Sequence, residues 1–465
     1  MILSKAFGFS FIFKTLRGGH ERSVKAKKNI FYSFFIKGIS IALSLVLVPL
    51  TIHYINPTRY GIWLTLTSII YWFSFFDIGF GNGLRNKFAE AVAKGEDELA
   101  RIYVSTTYAI LSLIIGFVLL VFFVVNSFID WTKILNTPAD MARELSVLAM
   151  IVFVFFCIQF VLQLIVTVMT ANQEPAKASF FNVLGQVFSL TIIFILTKTT
   201  EGNLILLGLT LGFAPVLVLL ASSIWYYSHD YRKYTPSIKF VNFKYARDLM
   251  TLGIKFFIIQ IASVIIYQTS NIIIAQLFGP AQVTPYNIAY KYFSIIPMGF
   301  GIIMVPFWSA FTEAWIKHDT KWIKNTIKNL VLIWSVICIG AIIMLVFANF
   351  IYRIWIGKEV VVPFSMSVVM ALFVIINAWC GIFSHFLNGV GKIKLQLYSG
   401  TLGALINIPM AIYLGKTLGI YGVVLSTAIL GFISAIWSPI QYWKLINNKA
   451  SGIWNKYADE YLDNK

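Results

Sequence analysis

Charge is what this chain has least of. Only 12% of its 465 residues are Asp, Glu, Lys or Arg, against about a quarter in an ordinary soluble domain. So little ionised surface cannot hold a chain of this length in water, which excludes a soluble enzyme. With 58% hydrophobic residues the chain is not intrinsically disordered either. Cysteine is nearly absent. Cys157, Cys338 and Cys380 each lie in an apolar run, and no two have metal or redox spacing. That excludes a disulfide-built secreted domain and reads them as small buried apolar residues. The five histidines are scattered without ligand spacing. There is no Walker A loop, nucleophile elbow or zinc-protease motif. Gly79-Phe80-Gly81-Asn82-Gly83 is glycine-rich, but it closes an apolar run instead of following a strand. Acid is scarcer than base, 19 against 37, for a formal charge of +18. In a membrane protein that excess belongs to loops that touch anionic phospholipid, and no nucleic-acid partner is expected.

What the chain has instead is apolar length. Twelve runs are long enough to cross a bilayer: 29–54, 60–82, 103–128, 144–170, 179–196, 204–228, 249–278, 285–311, 327–351, 364–388, 397–414 and 418–443. An even number puts both termini on one side. With the N-terminus in the cytoplasm, inside segments hold 27 Lys and Arg and outside segments seven, which orients the protein. The N-terminal stretch is broken by Lys5 and Lys14 and followed by a basic run, so it reads as a cytoplasmic amphipathic arm (1–28) and not as a cleavable signal.

The chain also repeats. At an offset of 223, Phe88, Glu90, Ala91 and Lys94 fall on Phe311, Glu313, Ala314 and Lys317, and Pro57 falls on Pro280. A unit of six spans gives halves that run in the same direction, related by an axis along the membrane normal. The expected architecture is an all-α polytopic membrane protein of about twelve helices in two six-helix lobes. The lobes are 29–228 and 248–443, joined by a basic linker at 229–247, with a cytoplasmic tail at 444–465.

Three lysines lie inside the runs, where a charge costs about 2.5–3.5 kcal/mol at the bilayer centre. Lys37 is about 12 Å into the first span, and Lys255 is at similar depth in the seventh. Ser40, Ser44 and Thr51 share the side of Lys37, and Asn287, Lys291 and Ser294 form a second polar stripe. Each lysine alone could snorkel to the headgroups. Together they suggest a cationic cavity for an anionic headgroup, with Lys37, Lys255 and Lys291 as phosphate contacts and Ser44, Gln260, Asn271 and Asn287 lining it. In the seventh span Gln260, Tyr267 and Asn271 share a face about 140° from Lys255, so either face is open as the cavity side. Asp77, the one acid deep in a span, is either an ion-coupling site or a partner of Lys37, Arg85 or Lys87. The pairing is the preferred reading, with Asp77 and Arg85 as gating residues. Pro297, with Gly299 and Gly301, is the best hinge.

Phe76-Asp77-Ile78-Gly79-Phe80-Gly81-Asn82-Gly83-Leu84-Arg85 resembles the signature that ends the second helix of Wzx-type polysaccharide flippases. Gly279-Pro280, followed by Tyr286-Asn287-Ile288-Ala289, resembles their link from helix seven to helix eight. The resemblance spans about residues 29 to 443. It places the chain in the multidrug/oligosaccharidyl-lipid/polysaccharide exporter superfamily, with a MATE/MurJ-like fold. It implies flipping of an undecaprenyl-pyrophosphate-linked oligosaccharide from the cytoplasmic to the periplasmic leaflet of the bacterial inner membrane, by alternating access, for surface polysaccharide such as O-antigen. It further implies that Lys37 and Lys291 occupy positions where related lipid II flippases meet the pyrophosphate. No cofactor is expected beyond coupling to a proton or sodium gradient, and polysaccharide polymerase or export proteins are candidate partners. The rival readings are a MATE-type drug or cation antiporter, which would want more intramembrane acids, and a membrane-embedded glycan polymerase or acyltransferase, which would want catalytic groups on long outer loops.

Overall fold

The computed structural model describes residues 21–77, 79–172, 174–250 and 253–454. Part of the expected N-terminal arm (1–20) and of the tail (455–465) lies outside the described residues. Among the described residues nine helices are long and apolar enough to cross a membrane, and the protein is a multi-pass helical membrane protein.

In the first half, α1 (Glu21–Ile55) is followed by α2 (Pro57–Tyr71), which passes through a 3-10 segment (Trp72–Asp77) to α3 (Phe80–Lys94). Then come α4 (Asp97–Val125), the short α5 (Trp131–Leu135), α6 (Ala142–Leu162), α7 (Leu164–Ala171), α8 (Pro175–Thr199) and α9 (Leu204–Ser228). The linker ends in α10 (Ala246–Met250). The second half holds α11 (Gly253–Phe278), α12 (Val283–Phe293), α13 (Ile295–Ile316), α14 (Thr320–Trp355), α15 (Phe364–Gly389), α16 (Lys394–Leu418) and α17 (Ile420–Ile446). Apolar runs without water must satisfy their backbone internally, which helices do. Starts are marked by proline in the first turn at Pro57 and Pro175 and by side-chain caps at Asn203 and Asp319. Phe117 and Leu120 on α4 and Val346 and Phe350 on α14 are more than half exposed, as side chains facing hydrocarbon would be.

The expected spans are less regular than their hydropathy. The second run is not one rod: it tightens at Trp72 and turns at Gly79 (φ 82°), a left-handed position that suits glycine. The eighth is interrupted at Ser294, between α12 and α13. The ring of Pro297 crowds the carbonyl four residues back, at Phe293. The break at Ser294 thus falls three residues before the proline of the expected hinge.

The repeat is written into the backbone. Asn56 (φ 73°, ψ 163°) and Gly279 (φ 86°, ψ 160°) share an unusual conformation, each just before its aligned proline. Gly95 and His318, also 223 apart, both have positive φ. The bonds around them match: Gly95 N to Val92 O and Glu96 N to Ala91 O, against His318 N to Trp315 O and Asp319 N to Ala314 O. Packing repeats too: α1 lies on α8 as α11 lies on α16, α6 on α9 as α15 on α17, and α8 on α9 as α16 on α17.

Three apolar cores follow. One is shared by both halves at the Pro57/Pro280 end, where Ile52, Trp63 and Leu66 join Ile274, Tyr286 and Phe293. At the opposite end the cores are separate among the described residues, with Leu249 at the start of the second half packed into the first half's core and its carbonyl over Gly83. Phe88, Val104 and Met169 belong to the first half's core, and Phe311, Ile327 and Phe386 to the second's.

Candidate functional site

The halves meet across their own pseudo-axis. The Thr284 hydroxyl donates to the Pro57 carbonyl at 2.6 Å. At the positions aligned with these, Gly61 lies under the Pro280 carbonyl, so close that a Cβ there would sit 1.8 Å from the oxygen. Beside this contact is a reciprocal clasp. Asn136, just after α5, donates from its amide to Ala275 O at 3.0 Å, and Gln276 near the end of α11 donates to Lys133 O and Ile134 O at 2.7 and 2.6 Å. Gln276 caps carbonyls at the end of α5, and Asn136 adds a second donor to the Ala275 carbonyl, which also accepts the Gly279 N–H at 3.0 Å. Asp130 starts α5, accepting the Thr132 hydroxyl at 2.6 Å. That bond, with Lys133 beside it, holds its carboxyl down at about 2. On the same side of the bundle, Trp355 Nε1 donates to Leu45 O at 2.8 Å.

Those of the predicted residues whose side chains are described do not converge as one lining. Lys37 is exposed on α1. The polar stripe expected beside it is largely spent within helices: Ser44 donates to Ile41 O, Thr51 to Leu47 O, and Ser40 reaches Gln186 of α8. Lys291 is half-buried in the last turn of α12, just before the interruption at Ser294. The structure brings Asn271 and Asn287 together, the Asn287 amide donating to Asn271 Oδ1 at 2.8 Å. They lie beside a small cavity bordered by Ser270, Tyr286, Tyr290 and Thr427, with about 10 Å³ for water centres, room for about one water. Lys255 and Gln260 are on α11, but their side chains lie outside the described residues.

Asp77 departs from the preferred pairing. Its Oδ1 accepts the Gly81 N–H at 2.8 Å, at the start of α3. Arg85 is exposed, and Lys87 pairs with Glu90 at 3.1 Å. The glycines that end the run bare the first amides of α3, one of which donates to Asp77, and no ion pair to Asp77 occurs among the described residues. No cluster of metal-ligating side chains occurs among the described residues. Sequence reasoning missed Gly61, Thr284, Asn136 and Gln276. The first two stand four residues after the aligned prolines, a signal the repeat contained. The clasp has no such signal, because its partners are more than 130 residues apart.

The family model for polysaccharide biosynthesis proteins matches residues 26–311. The chain belongs to the polysaccharide biosynthesis protein family. As a member of it, the chain is 24% identical over 414 residues to a protein of Salmonella typhi named "Putative O-antigen transporter", covering 88% of this chain and 94% of that one. It is 20% identical over 365 residues to a protein of Yersinia pseudotuberculosis named "Putative O-antigen export protein", covering 77% and 81%. Its fold is that of MATE transporters. A multidrug resistance MATE transporter of the MOP superfamily in an inward-facing conformation superposes with TM-score 0.73 at 12% identity, over 91% of this chain and all of that one. An outward-facing MATE structure gives 0.65, also at 12% identity, over 94% and 98%. This family member therefore joins a polysaccharide-biosynthesis sequence to a two-lobed exporter architecture.

Proposed function

We propose that the protein is a flippase that carries an undecaprenyl-pyrophosphate-linked oligosaccharide across the bacterial inner membrane by alternating access, for surface glycan such as O-antigen. The observation that carries this reading is the division of the cores among the described residues: one is common to both halves at the Pro57/Pro280 end, and two are separate at the other. The separate cores lie at the end bearing the basic segments 83–102, 229–247 and 312–328. By the positive-inside rule that end is cytoplasmic, so the cavity would open to the leaflet where lipid-linked sugars are assembled. The better superposition on an inward-facing relative in fold supports the same assignment.

The relatives named for O-antigen transport and export support the cargo. An anionic headgroup crosses hydrocarbon only at high cost unless fixed charges meet it. Lys37, Lys255 and Lys291 are the cations this chain places within its spans, and a lysine serves phosphate as a point charge. The polyprenyl tail would stay in lipid while the head moves between the lobes. Opening toward the periplasm would then break the Thr284–Pro57 contact and the Asn136/Gln276 clasp.

The test is complementation of a strain lacking this protein. Hydrogen bonds to charged groups are worth about 1.5–3 kcal/mol, so Lys37→Ala, Lys255→Ala and Lys291→Ala should each lower surface glycan about ten-fold or more. Membrane levels should be unchanged, and lipid-linked sugar should accumulate on the cytoplasmic leaflet. Full glycan output from all three variants would overturn the cationic route.

A further inference from the structure

The linker between the halves has an order of its own. Its three 3-10 turns, Arg232–Tyr234, Ile238–Phe240 and Phe243–Tyr245, each read any residue, lysine, aromatic. The aromatic always turns toward the first half. The Tyr234 hydroxyl donates to Asp97 at 2.8 Å, Phe240 lies under the Arg101 guanidinium at 4.1 Å, and Tyr245 packs edge-on to Tyr103. The backbone is tied down as well. Ser237 N donates to the Ser105 hydroxyl, Asn242 N donates to the Thr106 hydroxyl at 3.0 Å, and Arg101 Nε donates to Thr235 O at 2.9 Å.

The leading residues point the other way. Ile238 is 93% exposed and Phe243 is 57% exposed, each followed by an exposed lysine. Lys233, in the first turn, is paired with Asp97, whereas Lys239 and Lys244 have no ion pair among the described residues. Two turns thus present the same outward couple, an apolar side chain and an uncompensated cation, from a backbone already fixed.

Depth says what that couple meets. The linker sits on the first ten residues of α4, a helix of 29 residues. At 1.5 Å per residue α4 is about 44 Å long, about 14 Å more than a hydrocarbon core of about 30 Å. The apolar run of α4 begins at 103, and the linker covers the charged Asp97 and Arg101 before it and the hydroxyls of Ser105 and Thr106 just inside it, so the turns lie at headgroup level. We propose that the turns Ile238–Phe240 and Phe243–Tyr245 are a preformed contact for anionic phospholipid, with Ile238 and Phe243 entering the acyl boundary and Lys239 and Lys244 meeting lipid phosphates. The first half is thereby fastened to its leaflet, and the second half moves against it. This contact is independent of the cargo and stands even if the flippase reading fails.

The experiment uses the full chain in nanodiscs, with an environment-sensitive fluorophore on Ile238→Cys in a background where the three native cysteines are replaced. Brominated acyl chains should quench the probe and aqueous iodide should not. Quenching should rise with the fraction of phosphatidylglycerol. Lys239→Gln with Lys244→Gln should raise the phosphatidylglycerol needed for half-maximal quenching, by about five-fold per lysine. A probe open to iodide and insensitive to brominated lipid would overturn the proposal and leave the face to a soluble acidic partner. Quenching indifferent to phosphatidylglycerol, or to the lysine substitutions, would overturn it too.

Discussion

Positions 57 and 61 of the first half and 280 and 284 of the second are the same two places in the repeat, and they touch each other. Where the second half has Thr284, a hydroxyl reaches Pro57 O. Where the first half has Gly61, there is no side chain and the Pro280 carbonyl fills the space. Identical residues would leave either two clashes or two gaps on the axis. The unlike pair lets two copies of one turn close on each other, and it teaches that duplicated halves need one residue to yield where both claim the same volume.

The largest effect should come from removing that difference. Overpacking costs typically about 1–3 kcal/mol, and the atom opposing Gly61 is backbone, which cannot move aside alone. Gly61→Val should therefore shift the balance between closed and open forms at this end by about 100-fold. Spin labels on Lys133→Cys and Gln282→Cys, one in each half, would report it as a wider separation. Thr284→Ala, which removes one hydrogen bond worth about 1 kcal/mol, should shift the same balance only about five-fold. Equal effects at the two positions would dismiss the unequal-pair argument.

The clasp comes next. Asn136→Ala and Gln276→Ala each remove hydrogen bonds between the halves, at about 0.5–1.5 kcal/mol apiece. Because the two residues serve one contact, the double variant should cost less than the sum. Label separation in the double-mutant cycle checks this, and strict additivity would show that the two amides act separately.

The smallest effect separates the two interrupted spans. The first half ends its span with a carboxylate on bare amides at Gly81, and the second with Pro297 and no acid. Asp77→Asn keeps an acceptor for Gly81 and should change melting by less than about 0.5 kcal/mol with transport retained, whereas Asp77→Ala should cost about 1 kcal/mol as a lost cap does. Abolished transport in Asp77→Asn with unchanged melting would instead make Asp77 an ion-coupling group.

Residues explain what could be read in advance. Lys37 and Lys291 stood out because an ionised side chain in a long apolar run is costly wherever the run folds. Pro57 and Pro280 exposed the repeat because proline at a helix start is a local requirement. Ser44 shows the limit of a polar stripe, because its hydroxyl bonds its own helix at Ile41 O, a bond that residue type does not announce. Asp77 misled because its partner is a backbone amide, which no residue type announces.

The order of apolar runs, their charge bias and the offset of 223 were determined by the sequence alone, since each follows from local composition and from the bilayer's thickness. Which end of the bundle is joined, and through which atoms, was decided only in three dimensions. Asn136 and Gln276, or Gly61 and Pro280, become neighbours through the packing of whole helices, and their contact energy depends on tenths of an ångström that spacing along a chain does not encode.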